Sequence, residues 1–322
     1  MRRLLLGWPG RVLIVVLGLA LLGASYESVS EAVDARAYPP PGQLVDVGGH
    51  RLHLNCVGTG SPTVVIDSGL GDWSASWSSW VQPGVAETTR VCTYDRAGMG
   101  YSEPGPLPRT AARFAQELHT LLGRADIPGP YVLVGHSSGG LTVRVYAAEY
   151  PAEVAGVVLI ESMNPGEVAR AETATAPAWL SVATFPSRIG VPRLLAGPLD
   201  VKAGLAPEVA DAYVAKTVTP RAAQTSLDEF VGLPQGLVEA GEVASLGAVP
   251  LIVLSRGPDQ NVDWQRTQSD LLRLSSNSQQ LFAERSGHNV QVDQPAAAVS
   301  AIVQLVEHVR AVAVSRMTCT VS

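Results

Sequence analysis

Lysine is nearly absent from this sequence. Lys202 and Lys216 are the only two, and arginine supplies the other 21 of the 23 basic residues. We read that bias as a property of the genome rather than of the function. No basic run follows the N-terminus and the formal net charge is −6, which argues against a nucleic-acid surface. Charged residues are scarce as well, at 16% against 46% hydrophobic, so the chain is too apolar for disorder and can bury a sizeable core. Cysteine is limited to Cys56, Cys92 and Cys319. No histidine or cysteine cluster has the spacing of metal ligands, so no metal site is expected. There is no dinucleotide fingerprint, no cofactor motif and no repeat at a fixed period.

One apolar run stands apart. Arg2, Arg3 and Arg11 precede an unbroken apolar stretch from Val12 to Leu22, with no amphipathic pattern. That length fits the core of a secretory signal, about 7–15 residues, better than a full span of about 20. The small-residue pattern expected of a cleavage site is poor around Ala24, which favours an uncleaved anchor. Both readings put the remaining chain outside the cytoplasm, either tethered to the membrane or secreted. Cys56 and Cys92 lie in strand-like stretches. Two buried thiols are the plain reading; a disulfide requires the two strands to be neighbours.

After the prolines of "AYPPPGQ", which read as a stiff linker, the chain alternates strands and helices. "LVDVGGHRLHLNCVG" reads as two strands turning at Gly48-Gly49. "TVVID", "RVCTYD", "YVLVG", "VAGVVLIES" and "VPLIVLS" are short and almost wholly apolar. Phe114, Leu118, Leu121 and Leu122 share one helix face, as do Val299, Ile302, Val303, Val306 and Val309. Apolar strands alternating with helices describe a parallel sheet covered on both sides. From about Met163 to Gly247 the rhythm breaks: alanines, prolines and helical pieces appear, and no strand. We read this stretch as a helical insertion over the sheet's C-terminal edge, where such sheets bind ligands. Because it adds no strand, its stretch from about Ala169 to Ala244 is expected to be removable without unfolding the sheet, with a sharp change in substrate preference.

"VLVGHSSGGLT" carries the chemistry. Gly135-His136-Ser137-Ser138-Gly139 matches G-x-S-x-G between a strand and a helix, the context that motif needs. A strand turning sharply into a helix strains the central residue, and neighbours without Cβ permit the turn. The Ser137 hydroxyl is thereby pushed out above the sheet. The plainer reading is a serine-glycine helix cap. A serine needs a base to take its proton. Of six histidines, His50 and His53 fall in the first hairpin and His119 and His308 on helices. His136 sits in the turn itself, pointing away from the serine. His288, in "AERSGHNVQVDQP", lies in a late loop at the sheet's C-terminal edge and is the expected base, against a merely structural loop histidine.

Four segments in this order, "VVIDSGLGDW", "YDRAGMGYS", "GHSSGG" and "SGHNVQVDQP", resemble the signatures of the α/β-hydrolases, in the branch that carries a helical lid and includes esterases, dehalogenase-like and epoxide-hydrolase-like enzymes. The likeness covers about residues 44–313. It implies an eight-stranded, mostly parallel sheet in the order 1-2-4-3-5-6-7-8, with strand 2 antiparallel and a helical cap between strands six and seven. The chain then divides into a signal or anchor with linker (1–36), a core (37–162 and 248–322) and a cap (163–247). That strand order makes the strands of Cys56 and Cys92 neighbours. It implies a triad in the chain order serine, acid, histidine, and oxyanion donors at the backbone N–H of Ser138 and Leu70.

For the acid the sequence offers Glu161, ending strand six, and Asp259, after strand seven; Asp263 is a weaker third. Glu161 is favoured because it leaves a rigid apolar strand, where a carboxylate needs a partner. Asp259 lies in a polar turn, an ordinary place for an aspartate, but also the commoner home of the acid in this fold. Trp73, Trp77 and Trp80 fall on one helical face, as core packing or as the wall of an acyl pocket. The expected function is a serine hydrolase cleaving carboxylic esters of small molecules through an acyl-enzyme. The rivals are an amidase or peptidase, a perhydrolase, a carbon–carbon bond hydrolase, or a binding module without turnover. Oligomeric state is not legible.

Overall fold

Short runs of valine, isoleucine and leucine become the strands of a single sheet in the computed structural model, which describes residues 7–167, 184–257 and 262–320. Strands β1 (Gln43–Asp46) and β2 (Arg51–Val57) form the hairpin, and Gly48 and Gly49 both take positive φ between them. Then follow β3 (Thr63–Asp67), helices α2 (Ser74–Ser78) and α3 (Val81–Ala86), and β4 (Val91–Tyr94). Helix α4 (Ala111–Arg124) is capped by the Thr110 hydroxyl. Strand β5 (Tyr131–His136) leads into α5 (Gly139–Glu149), and β6 (Val154–Ile160) follows. The sheet order is β1-β2-β4-β3-β5-β6-β7-β8, with β7 at Leu251–Arg256 and β8 at Ser278–Ala283. Only β2 pairs antiparallel, with both β1 and β4.

The apolar strands split their residues between two layers because successive side chains point to opposite faces. Val65, Leu133, Leu159 and Val253 pack with Leu118, Leu121 and Leu122 of α4 and Leu141 of α5. Val64, Ile66, Val134, Val158 and Leu254 pack on the other side against Val81, Val85 and the face Ala298, Ala301, Ile302 and Leu305. Across β2 and β4, Cys56 and Cys92 sit directly opposite and are disulfide-bonded.

Between β6 and β7 the described residues are helical: α6 (Val191–Leu195), α7 (Pro207–Thr217) and α8 (Pro220–Glu242). The expectation that this whole segment could be cut away does not survive. Leu237 and Ala240 of α8, with Leu246, belong to the same buried cluster as α4 and α5. A side chain buried as fully as Leu237 contributes about 1.5–3 kcal/mol, so α8 is part of the core as well as of the cover.

After β7 come α9 (Val262–Asp270), the short α10 (Val290–Asp293), and α11 (Pro295–Thr320), which continues helical through what reads in sequence as a polar tail. The three tryptophans do not share a helical face, because the chain breaks between α2 and α3. Trp77 is buried in the core. Trp73 stacks on Tyr213 of α7 at 5.7 Å and donates to Thr217, while exposed Trp80 donates to the Gly204 carbonyl. Two of the three therefore tie the core to the inserted helices.

The N-terminal helix is longer than the sequence suggests. α1 runs from Trp8 to Ala37, about 45 Å, and stops where the proline linker begins. Its apolar first half stands clear of the protein, with Leu19, Leu21 and Leu22 exposed. Both α1 and α11 are long and apolar enough to cross a membrane, but α11 presents its apolar face to the core.

Candidate active site

Ser137 stands where β5 turns into α5, at φ +52, a conformation that costs a side-chain-bearing residue about 1–3 kcal/mol and persists only when its surroundings hold it. They do. The Ser137 amide donates to the Ile160 carbonyl, and its own carbonyl accepts from the amides of Gly140 and Met163. Close backbone approach sets the neighbours: a Cβ on Gly135 would lie 2.6 Å from the Gly140 Cα, and one on Gly139 would lie 2.5 Å from the Ser68 carbonyl oxygen. The glycines of the motif are therefore required by packing.

His288 lies in the loop between β8 and α10. Its Nε2 is 3.0 Å from the Ser137 Oγ, and its Nδ1 is 3.4 Å from Glu161 Oε2, at the long end for a hydrogen bond. Glu161 follows β6 directly, also at positive φ (+44), and is fully buried. Its carboxylate accepts from the Arg256 amide (2.8 Å) and the Trp264 indole (2.9 Å), and the Arg256 guanidinium lies 3.5 Å away. These donors satisfy both oxygens of a carboxylate that burial cuts off from water. Asp259, the rival acid, lies outside the described residues.

Among the described residues, the His136 side chain hydrogen-bonds to His288 and not to Ser137. Its buried ring donates from Nε2 to the His288 carbonyl at 2.9 Å and lies beneath the His288 ring. Burial, with a smaller contribution from His288, lowers its pKa to about 3, so it stays neutral. Asp293 braces the same loop by accepting from the Gly287 amide at 2.8 Å.

The loop after β3 carries Leu70. Among the described residues no acceptor engages the amide of Leu70 or of Ser138. Buried Arg96, from "YDRAGMG", pins this loop from below. Its guanidinium donates to the Asp67 carboxylate (2.7 Å), to the Ser68 and Gly69 carbonyls (2.5 Å each), and to both oxygens of Glu229 on α8. Glu229 in turn accepts from the Gly71 amide at 3.0 Å. The peptide bearing the Leu70 N–H is thus held on both sides. Two spaces adjoin it. A pocket of about 20 Å³ lies between Leu70, Ser138, Phe114 and Leu233, room for about one water. An open groove of about 290 Å³ runs between Leu70, Tyr213, Val201 and Asn289, beside His288.

Sequence reasoning brought Ser137, His288, Glu161, Leu70 and Ser138 to one edge of the sheet, and the structure gathers all five there. It missed Trp264, Arg256, Asp293 and the Arg96–Glu229 pair. These partners come from separate loops and, for Glu229, from the inserted helices; no local motif announces them.

The comparisons agree with this architecture. The family model described as "alpha/beta hydrolase fold" matches residues 62–185. An uncharacterized protein of Schizosaccharomyces pombe is 30% identical over 193 residues, 48% of this chain; the match spans only 36% of that relative's length. An esterase from Thermogutta terrifontis superposes with a TM-score of 0.60 at 18% identity, over 83% of this chain and 98% of that one. The epoxide hydrolase CorEH gives 0.60 at 17% identity, over 82% and 97%. By sheet order and elbow, this chain has the α/β-hydrolase fold.

Proposed function

We propose that this protein is a serine hydrolase that cleaves carboxylic esters of small molecules. The observation that carries the reading is a serine hydroxyl held on a strained turn with an imidazole nitrogen 3.0 Å away and a buried carboxylate behind it. Ser137 Oγ attacks the ester carbonyl carbon while His288 Nε2 takes the hydroxyl proton. Glu161 holds the imidazole with Nδ1–H toward Oε2 and offsets the charge that forms on the ring. The amides of Leu70 and Ser138 face the oxyanion. His288 then returns the proton to the departing alkoxide, leaving an acyl ester on Ser137. A water, deprotonated by the same nitrogen, releases the carboxylic acid and restores the hydroxyl.

The identity of the nucleophile favours acyl substrates. A serine that opened an epoxide or displaced a halide would be left as an ether, which water and an imidazole do not cleave, so turnover would stop. Acyl esters are hydrolysable, and the cycle closes. Residues 163–247 act in this reading as a cap whose α7 bounds the groove beside Asn289 and whose α8 bounds the small pocket beside Ser138. The apolar half of α1 anchors the chain in a membrane with Arg2, Arg3 and Arg11 on the cytoplasmic side. The catalytic body then faces outward, a compartment compatible with the Cys56–Cys92 disulfide.

A fluorophosphonate probe tests the nucleophile. Wild-type protein should be labelled and Ser137→Ala should not, with both folded. Equal labelling of the two, or none of either, would sink the assignment.

A further inference from the structure

The second half of α1 is clamped to the inserted helices. Arg193, on α6, donates from Nε and Nη2 to both oxygens of Glu27 at 2.9 Å, and from Nη1 to Asp34 at 2.6 Å. Glu27 is the one residue of α1 that is fully buried. A bidentate, largely desolvated pair of this kind fixes orientation as well as distance. One turn earlier the helix and the segment before α6 touch backbone to backbone: a Cβ on Gly23 would lie 2.6 Å from the Ile189 carbonyl oxygen. The Tyr26 ring lies against Gly190.

These contacts set a level. The unbroken apolar stretch of α1 ends at Leu22, and Gly23 already rests on Ile189. The segment 185–199 therefore begins at the height where the apolar half of the helix stops and runs on beside α1 as far as Asp34. Along that path it exposes large apolar side chains. Phe185 is 65% exposed, Leu194 63% and Leu199 70%, with Leu195 beside them. Soluble surfaces seldom gather such residues without a partner. Arg188, also exposed, adds positive charge close to Phe185 in the chain.

We propose that segment 185–199 is a second membrane contact: a surface that seats on the lipid bilayer, held at the headgroup level by the Arg193 clamp to α1. The inference rests on the reading of α1 as an anchor. With the apolar half of α1 inserted at a tilt, the clamp carries Phe185, Leu194 and Leu199 to the same interface, and Arg188 meets headgroup phosphates. Tyr26, half out of the protein at this level, suits the amphipathic belt between lipid and water. The chain runs on from Leu199 directly into Val201 and Leu205, which wall the groove beside Leu70 and Asn289. A bilayer-seated segment thus borders the groove that runs past Leu70 and Asn289, a short route by which an ester dissolved in lipid would approach the site.

The test uses the full chain with Cys319→Ser, reconstituted in vesicles of phosphatidylcholine and phosphatidylglycerol. Single cysteines replace Leu194, Leu199 or, as a control on the opposite edge of the sheet, exposed Ser278, and each carries an environment-sensitive fluorophore. Lipids with a nitroxide near the headgroup should quench the probes at positions 194 and 199 and leave the one at 278 untouched. Arg193→Ala, or Glu27→Gln with Asp34→Asn, which cuts the same clamp from the helix side, should reduce quenching at 194 and 199 to the control level. The same variants should stay in the vesicles after alkaline carbonate washing. Probes at 194 and 199 that read water while the chain resists carbonate would overturn the proposal and leave the anchor standing. A chain stripped by carbonate would remove the anchor, and then quenching at 194 and 199 decides whether the segment binds lipid unaided or the proposal fails with it.

Discussion

Arg96 offers a quantitative check on how the site is held. Arg96→Met keeps the length of the side chain and removes every donor. The change strands Asp67 and Glu229, both almost fully buried, with no opposing charge between them. Breaking one side of a buried ion pair costs about 3–5 kcal/mol, because the remaining charges keep their desolvation penalty. Burial pushes the Asp67 carboxyl above its usual range, and the guanidinium is the strongest of the groups that pull it back, ahead of Thr142 and Tyr94. The penalty should therefore be largest at neutral pH and shrink in acid, where stranded carboxylates escape by protonation. The Ser68 and Gly69 carbonyls lose their donors as well, so the Leu70 amide is no longer fixed; loss of a whole oxyanion donor costs about 10²–10³ in rate, which is the ceiling for a displaced one. Urea denaturation of the full chain in detergent reads the first effect and the rate of fluorophosphonate labelling reads the second. Adding Asp67→Asn and Glu229→Gln to Arg96→Met should recover stability without recovering rate. An Arg96→Met protein within about 1 kcal/mol of wild type, labelled at the wild-type rate, would refute both halves of this reasoning.

His136 makes the fold acid-sensitive. Its folded pKa, about 3, lies below the unfolded value of 6.5, so its contribution is complete above pH 6.5 and is lost as pH falls toward 3. That amounts to about 2 kcal/mol by pH 5, at about 1.4 kcal/mol per unit. His136→Gln should flatten the difference in urea midpoint between pH 7 and pH 5; an unchanged slope would contradict the assignment. The acid is tested by Glu161→Gln against Asp259→Asn. Single-turnover acylation by an activated ester should fall by on the order of 10⁴ for Glu161→Gln and stay near wild type for Asp259→Asn, and the reverse pattern would move the role to Asp259.

The sheet was legible because its strands are apolar and bounded by glycine, proline and polar turns, and because periodicity separates them from α4 and α11. The serine and the histidine were legible because an elbow needs small neighbours within a few residues, which leaves a local motif. Leu70 and the strand order came from resemblance instead. What escaped was long-range. Glu229 meets Arg96 from 133 positions away in the chain, and Trp264 reaches Glu161 across 103. Nothing near either residue marks it. The tryptophan spacing misled because a helical period was assumed through a break between α2 and α3. The removable cap misled for a related reason: lack of strands says nothing about whether a helix such as α8 supplies core side chains. The length of α1 was hidden because Glu27 and Asp34 look like solvated charge until Arg193 is placed against them.

The central claim is that Ser137 carries the acyl group during turnover. Wild-type protein mixed with a p-nitrophenyl ester and quenched in acid within the first turnover should gain the mass of one acyl group, mapped by peptide mass spectrometry to the stretch from Tyr131 to Arg144. Ser137→Ala should gain none, and His288→Ala should gain it far more slowly. An acyl group found on another residue, or product released at the wild-type rate by Ser137→Ala, would contradict the account.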